Sequence, residues 1–306
     1  MDYTLKDYTE ALDLRLDLKF DNKRIFFHVS EELCVYYGQR NYTLNLLANI
    51  TDAIFNHKVK VHLNLSECPN ITASALVMLF AEISRAKMVF EDDDIITIDL
   101  PKEKPDHVWN EAVTLSYRNY SSLFDNDHTF QTMSEPNKAI ASILKLLLNS
   151  GVELSRTETR VFTKGVNEAM LNVINHAYHD QDAPLDGIGR RWWQACWVAK
   201  NKDKQTLVYI IYDLGCGMLA SLPKENNESI SDHITRVMSY GVSRTQEADR
   251  GKGTKNIEDA TDIRDNSRMF IGTNSAVYIK TEGQSATAEP TFLPFGGTLI
   301  EWQIFL

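Results

Sequence analysis

Hydrophobic and polar residues recur in two different periods along the N-terminal part of the chain. An alternation with a period of two predicts strands over residues 24–29 and 58–65. Apolar positions three and four residues apart predict amphipathic helices over residues 43–55 and 72–83. Strands that alternate with helices are typical of the α/β class.

The C-terminal part of the chain shows the same two periods and is also predicted to be α/β. Helices are predicted over residues 135–149, from 155 to about 179, and over 230–239. Strands are predicted over residues 192–199, 206–212 and 295–302. Residues 101–130 have no clear period and contain two prolines, so the domain junction is expected there. We therefore expect two α/β domains, over residues 1–115 and 116–306.

Composition restricts the classes of partner and the compartment. The 306 residues include 32 Lys+Arg and 42 Asp+Glu, and the resulting net charge of −10 argues against a nucleic-acid or anionic membrane surface. No apolar run is long enough to span a membrane, and the first residues lack the order of a signal peptide. The cysteines do not form a C-x-x-C pair, which fits reduced thiols. We expect a soluble, cytoplasmic protein with scattered cysteines at Cys34, Cys68, Cys196 and Cys216.

The helix predicted from residue 155 carries a stripe of polar side chains on an otherwise apolar surface. Glu168 and Asn172 are four residues apart, and Asn175 and His176 follow at three and four residues, so that they share one face. Each of these groups needs a partner once it is removed from water. The Asn172 oxygen suits Mg²⁺, which prefers oxygen ligands, and the Glu168 carboxylate can orient or deprotonate a nucleophile.

The letters of this stripe, E-A-x-x-N-x-x-x-H-A-Y over residues 168–178, resemble the N box of the GHKL ATPase superfamily. Within this superfamily, the motif is most similar in sequence to that of the anti-sigma-factor serine kinases. The resemblance implies a two-layer α/β sandwich of the Bergerat type, with a mixed sheet and helices on one face. It also implies that the domain binds ATP and Mg²⁺, with Asn172 on the metal, Asn175 and His176 in the nucleotide site, and Glu168 as the catalytic residue.

A second motif follows directly after the strand predicted over residues 206–212. It reads D-x-G-x-G and resembles the second GHKL box. In that box the Asp, here Asp213, accepts the amino proton of adenine, and the glycines, here Gly215 and Gly217, allow the backbone to approach the nucleotide. Met218 follows the motif and is expected in the same site.

Two further stretches complete the resemblance to the superfamily. The G-G-T sequence that enters the last predicted strand resembles the closing strand, and its Thr298 is expected beside the adenine-reading Asp. A glycine-rich stretch before a predicted helix resembles the phosphate lid, where backbone N–H groups and cationic side chains would contact phosphates. The residues of this stretch are Arg250, Gly251, Lys252, Gly253 and Thr254.

The N-terminal domain resembles the STAS fold of anti-sigma-factor antagonists at one turn. The sequence I-T-A-S-A-L over residues 71–76 joins a predicted strand to a predicted helix, with Thr72 as the expected N-cap. In the STAS family the corresponding turn commonly reads I-D-S-S-G-L, and its second Ser, here Ser74, can be phosphorylated by a partner kinase. The neighbouring residues depart from that pattern, and a hydroxyl that caps the helix is the alternative role for Ser74.

The motifs together predict a regulatory protein that binds Mg-ATP. One predicted use of the nucleotide is phosphorylation of a Ser or Thr on a partner or on the chain itself. The alternative is an ATP-driven clamp with slow hydrolysis that closes its lid and dimerises. A self-contained histidine kinase is not expected, because the helix over 135–149 contains no histidine and the pair His179-Asp180 ends the N-box helix. The expected partners are ATP and either another protein or a second copy of the chain.

Overall fold

The computed structural model describes residues 17–21, 24–102, 107–178, 188–201, 204–240 and 253–306. These residues form two compact units. Described residues up to Ser122, with Ile188, make up the first unit, and those from Leu123 onward, apart from Ile188, make up the second. None of the helices in these ranges is long and apolar enough to cross a membrane.

The first unit is an α/β structure built on a four-stranded sheet. Strands β2, β3 and β4 are parallel, and β1 pairs antiparallel with β2 at the edge. Parallel neighbours require crossover connections, which helices provide here. The strands are β1 (Asp17–Asp21), β2 (Arg24–His28), β3 (Lys60–Asn64) and β4 (Ile96–Asp99). The helices are α1 (Arg40–Thr51), which continues as a π turn (Asp52–Asn56), α2 (Ala73–Phe90), α3 (His107–Thr114) and a 3₁₀ turn (Tyr117–Asn119).

The turn before α2 determines the environment of Ser74. Thr72 occupies the N-cap position as predicted, but its hydroxyl donates to the carbonyl of Leu33 at 3.2 Å and does not cap the helix. Ser74 lies in the first turn of α2 and is 0% exposed. A kinase cannot reach a hydroxyl in this environment, so the structure gives no support to Ser74 as a phosphorylation site.

The sheet of the second unit has five strands in the order β5–β6–β7–β9–β8. Every neighbouring pair is antiparallel, so the expectation of a mixed sheet is wrong. The reason is the position of β9: β7 and β8 point in the same direction, but β9 lies between them and pairs with both. The strands are β5 (Phe130–Met133), β6 (Trp192–Asn201), β7 (Lys204–Asp213), β8 (Arg268–Thr281) and β9 (Thr287–Phe305).

The helices of the second unit begin close to where the sequence predicts them. The helix expected from residue 155 starts with a capping box, in which Ser155 Oγ accepts from the Glu158 N–H at 3.2 Å and the Glu158 carboxylate accepts from the Ser155 N–H at 2.6 Å. The helices are α4 (Ser122–Asp125), α5 (Pro136–Asn149), α6 (Arg156–Asn172), α7 (Ile230–Tyr240) and α8 (Gly253–Asp259). A π turn (Val173–Ala177) extends α6, and a 3₁₀ turn (Met218–Ser221) follows β7.

Buried aromatic rings hold α6 and α8 against the sheet. Tyr209 of β7 stacks on Trp302 of β9 with 5.7 Å between ring centroids, and Phe162 of α6 meets Tyr209 edge-on at 6.1 Å. The Trp302 indole N–H donates to the Ile257 carbonyl of α8 at 3.1 Å. Rings in these orientations gain attraction beyond the area they bury. The position of α6, which carries the polar stripe, is therefore fixed by the core.

Gly165 allows α6 and α8 to approach each other. A Cβ at this position would lie 2.6 Å from the carbonyl oxygen of Asn256 and 2.7 Å from the Cβ of Ala260. Any larger residue at position 165 must push the two helices apart.

We expect Gly165→Ala to lower the free energy of unfolding by about 1–3 kcal/mol, because the added methyl overpacks the contact between α6 and α8. In an unobstructed helix the same change would stabilise the protein by roughly 1 kcal/mol, so the sign is diagnostic. Urea unfolding measures the effect, with Thr157→Ala at an exposed position of α6 as the control. Wild-type stability of the Gly165→Ala protein would contradict the close approach.

Candidate functional site

A cleft in the second unit encloses about 670 Å³, including the part that is open to solvent. Its walls come from the end of α6 and its π turn, the end of β7, an interior part of β9, the segment after β7, and helices α7 and α8. The lining residues are Ala169, Asn172, Val173, His176, Ala177, Ile211, Asp213, Gly217, Met218, Ser221, Val237, Thr254, Thr298 and Ile300.

The floor of the cleft carries a buried carboxyl group. Asp213 ends β7, is 5% exposed, and is the direct cross-strand partner of Thr298 on β9. The Gly215 N–H donates to Asp213 Oδ1 at 2.8 Å. Burial raises the pKa of Asp213 to about 7, although hydrogen bonds from Gly215 and Thr298 act in the opposite direction. The cleft therefore contains an acceptor whose charge changes near neutral pH.

One wall of the cleft comes from the polar stripe of α6, but not all of the stripe contributes. Asn172 and His176 line the cleft, whereas Asn175 is exposed and does not. The prediction assumed an α-helix throughout, and the segment Val173–Ala177 is instead a π turn. A π turn forms i→i+5 hydrogen bonds, so it changes the direction of the side chains that follow it. Asn175 therefore lies outside the lining of this cleft.

Glu168 lies beside the cleft and does not line it. Its Oε1 accepts from Asn256 Nδ2 at 3.1 Å, and its Oε2 would lie 3.1 Å from a Cβ at Gly253. The carboxylate therefore contacts the first turns of α8. Along α6 it is one turn, about 6 Å, before Asn172.

The start of α8 forms another part of the site. Thr254 lines the cleft, is buried, and donates its hydroxyl to the Met238 carbonyl at 2.8 Å. Gly253 does not line the cleft and lies against Glu168. The remaining residues of the predicted phosphate lid, Arg250, Gly251 and Lys252, lie outside the described residues, so their role stays a prediction.

Both glycines of the D-x-G-x-G motif lie at close backbone contacts. A Cβ at Gly215 would be 2.3 Å from the Ala177 carbonyl oxygen, and the Cys216 N–H donates to that oxygen at 2.8 Å. Gly217 has a φ of 79°, in the left-handed region, and a Cβ there would be 2.2 Å from Asn274 Oδ1. Gly217 lines the cleft, whereas Gly215 joins the loop to the end of the π turn.

Two residues of β8 that the sequence analysis missed hold the loop after β7. Thr273 Oγ1 accepts from the Met218 N–H at 2.8 Å. Asn274 accepts from the Leu219 N–H at 3.1 Å and donates to the Cys216 carbonyl at 2.9 Å. Asn274 has a φ of 48° and interrupts the register between β8 and β9. The available signal in the sequence was the polar run Thr273-Asn274-Ser275, which interrupts the apolar residues in the middle of β8.

Comparison with known proteins does not identify the site. No protein-family model matches the chain, and no curated protein matches it.

We expect Asn274→Gly to increase hydrogen–deuterium exchange over residues 216–219 by about tenfold or more, because the loop loses two hydrogen bonds, each worth roughly 1 kcal/mol. Glycine keeps the left-handed backbone and removes only the side chain. Asn227→Gly is the matched control, since Asn227 also has a positive φ (64°) but is exposed. Equal exchange of this loop in wild type and Asn274→Gly would show that Asn274 does not hold it.

We expect Asp213→Asn to change how stability depends on pH. Folded Asp213 keeps its proton up to about pH 7, whereas the unfolded chain loses it near 3.8, so the free energy of unfolding of the wild type falls as pH rises between these values. The free energy of unfolding of the variant therefore rises relative to that of the wild type by at most about 4 kcal/mol between pH 3.8 and pH 7. Above pH 7 the difference stays constant. Denaturant unfolding at several pH values tests this, with the exposed Asp265→Asn as the control. A difference that is independent of pH would contradict the raised pKa.

Proposed function

We propose that the second unit is a GHKL-type ATP-binding domain of the Bergerat type and that the protein is a cytoplasmic regulator that uses Mg-ATP. The observation that carries this proposal is the meeting of three separate motifs at one cleft. Asn172 and His176 stand in its wall, Asp213 lies on its floor, and Thr298 lies next to Asp213. Motifs that are distant in sequence and meet at one cavity are stronger evidence than any of them alone.

The proposed orientation of the nucleotide follows from the chemistry of the lining. Adenine has an amino donor beside a ring-nitrogen acceptor, which suits a carboxylate next to a hydroxyl at Asp213 and Thr298. Apolar side chains would contact the ring faces, and the phosphates would extend towards Asn172 and α8. The apolar residues of the lining that are suited to this contact include Ile211, Val237 and Ile300.

The oxygen donors of the cleft fit Mg²⁺ that is held mainly by the nucleotide. No group of three or more His, Cys, Asp or Glu suited to a metal ion occurs among the described residues. Mg²⁺ commonly binds through one or two protein oxygens, the substrate phosphates and water. Asn172 would supply the protein oxygen, and the metal would neutralise charge on the phosphates.

Two uses of the bound nucleotide remain as proposals. In the first use, in which the protein is a Ser/Thr kinase, Glu168 would take the proton of an acceptor hydroxyl. The buried Ser74 is unsuited as that acceptor, which favours a separate protein, and the parallel strands with α2 after β3 support a STAS-like first unit. In the alternative, a clamp with slow hydrolysis, the bond between Glu168 and Asn256 would couple the lid to the N-box helix.

We expect Asn172→Ala to weaken Mg-ATP binding by about tenfold or more, equivalent to 1.4 kcal/mol or more, and to change the binding of metal-free ATP little. The reason is that only the Mg²⁺ complex uses the carboxamide oxygen. Isothermal titration with and without Mg²⁺ separates the two effects. Asn175→Ala is the matched control, because this exposed Asn lies three residues further on and does not line the cleft. Equal affinities for Asn172→Ala and Asn175→Ala would refute the assignment.

A further inference from the structure

A second cavity lies between α6 and α8 and shares no lining residue with the cleft. It encloses about 690 Å³, including the part open to solvent, and is lined by Arg160, Val161, Lys164, Asn256 and Asp259. The contact at Gly165 brings the two helices together directly beside it. The cavity is thus formed by the same two helices that hold Glu168.

The cavity is basic, although the chain as a whole is acidic. Arg160 and Lys164 lie on successive turns of one helix face, and both are exposed to solvent. Neither forms an ion pair with any residue of the described ranges. Asp259 is the single acidic side chain in the lining, so the lining carries a net positive charge. The net charge of the whole chain is −10. Arg and Lys side chains at this spacing suit carboxylates, which guanidinium binds in a bidentate geometry.

Glu168 lies between this cavity and the cleft. It follows Lys164 by one helical turn and precedes Asn172 by another. Asn256 is 6% exposed, lines the cavity, and donates its amide to Glu168 Oε1 at 3.1 Å. A group bound in the cavity therefore lies on the N-terminal side of Glu168 along α6, whereas the proposed phosphates lie on its C-terminal side.

We propose that the cavity binds the acceptor of phosphoryl transfer and that this acceptor is an acidic protein segment with a Ser or Thr. The inference rests on the proposed function, because it requires ATP in the cleft. The acceptor oxygen bonds to the γ-phosphorus, the bond from that phosphorus to the bridging oxygen breaks, and ADP leaves with the electron pair. The hydroxyl proton passes to Glu168. Arg160 and Lys164 bind carboxylates that flank the acceptor, and Asn256 is a positioning residue that holds Glu168.

The test uses the full chain, Mg-ATP and synthetic Ser peptides of equal length whose flanking residues are acidic, neutral or basic. The variant is Arg160→Glu/Lys164→Glu. The matched control, Lys200→Glu/Lys204→Glu, makes the same change of charge at exposed positions of the β6–β7 hairpin end. Lys204 is nine residues, about 30 Å, along β7 from Asp213, and neither lysine lines the cleft or the second cavity. Mg-ATP affinity is measured for every protein by titration.

We expect wild type and control to phosphorylate acidic peptides best. Reversal at Arg160 and Lys164 should raise KM for acidic peptides by about tenfold or more, improve transfer to basic peptides and leave Mg-ATP affinity unchanged. Transfer without a charge preference, or a variant that behaves like the control, would overturn the acceptor site. Intact Mg-ATP binding without transfer to any peptide would overturn it together with the kinase, and absent Mg-ATP binding would overturn the proposed function itself.

Discussion

The carboxyl group of Asp213 is buried at the end of β7, where it has lost most of its contact with water. The groups that surround it in the site compensate for this desolvation. An unpartnered carboxylate in such a place is costly, and the cost is met here by a raised pKa and by donors from Gly215 and Thr298. The register of β7 with β9 is what places Thr298 opposite the acid. A shift of one residue in this register would turn the hydroxyl to the other face of the sheet.

Hydrogen bonds extend from this acid to the loop above it. Thr298 Oγ1 lies 3.2 Å from Thr273 Oγ1, and Thr273 in turn accepts from the Met218 N–H. On the other side of the loop, the Ala177 carbonyl binds the Cys216 N–H. The loop after β7 is therefore held between β8 and the π turn that extends α6. Interactions of this kind give a binding site its geometry before a ligand arrives, which reduces the entropy lost on binding.

The sequence predicts those elements of the second unit whose structure depends on local residue patterns alone. The runs 192–199 and 206–212 are mostly apolar and rich in β-branched and aromatic residues, and both are strands in the structure. The capping box at Ser155 likewise specifies the start of α6 locally. The proximity of Asp213 and Thr298 was predicted from the family resemblance, because no local pattern indicates which residues pair across strands.

The features that the sequence did not reveal depend on contacts between distant segments. The π turn after Asn172 is one case: its residues are compatible with an ordinary α-helix, and only the structure shows that Asn175 does not line the cleft. The strand order is another, because the insertion of β9 between β7 and β8 makes the sheet antiparallel. Thr273 and Asn274 are a third, since a polar pair in a strand does not indicate which loop it will bind.

The central claim is that separate segments of the second unit form one nucleotide site. Hydrogen–deuterium exchange of the full chain with and without Mg-ATP tests it most directly, because it reports on all segments at once. The account predicts that the nucleotide slows exchange together at residues 172–178, 214–219 and 253–260, with no change in strands β2 and β3 of the first unit. Protection in only one of these segments, or in none of them, would contradict it.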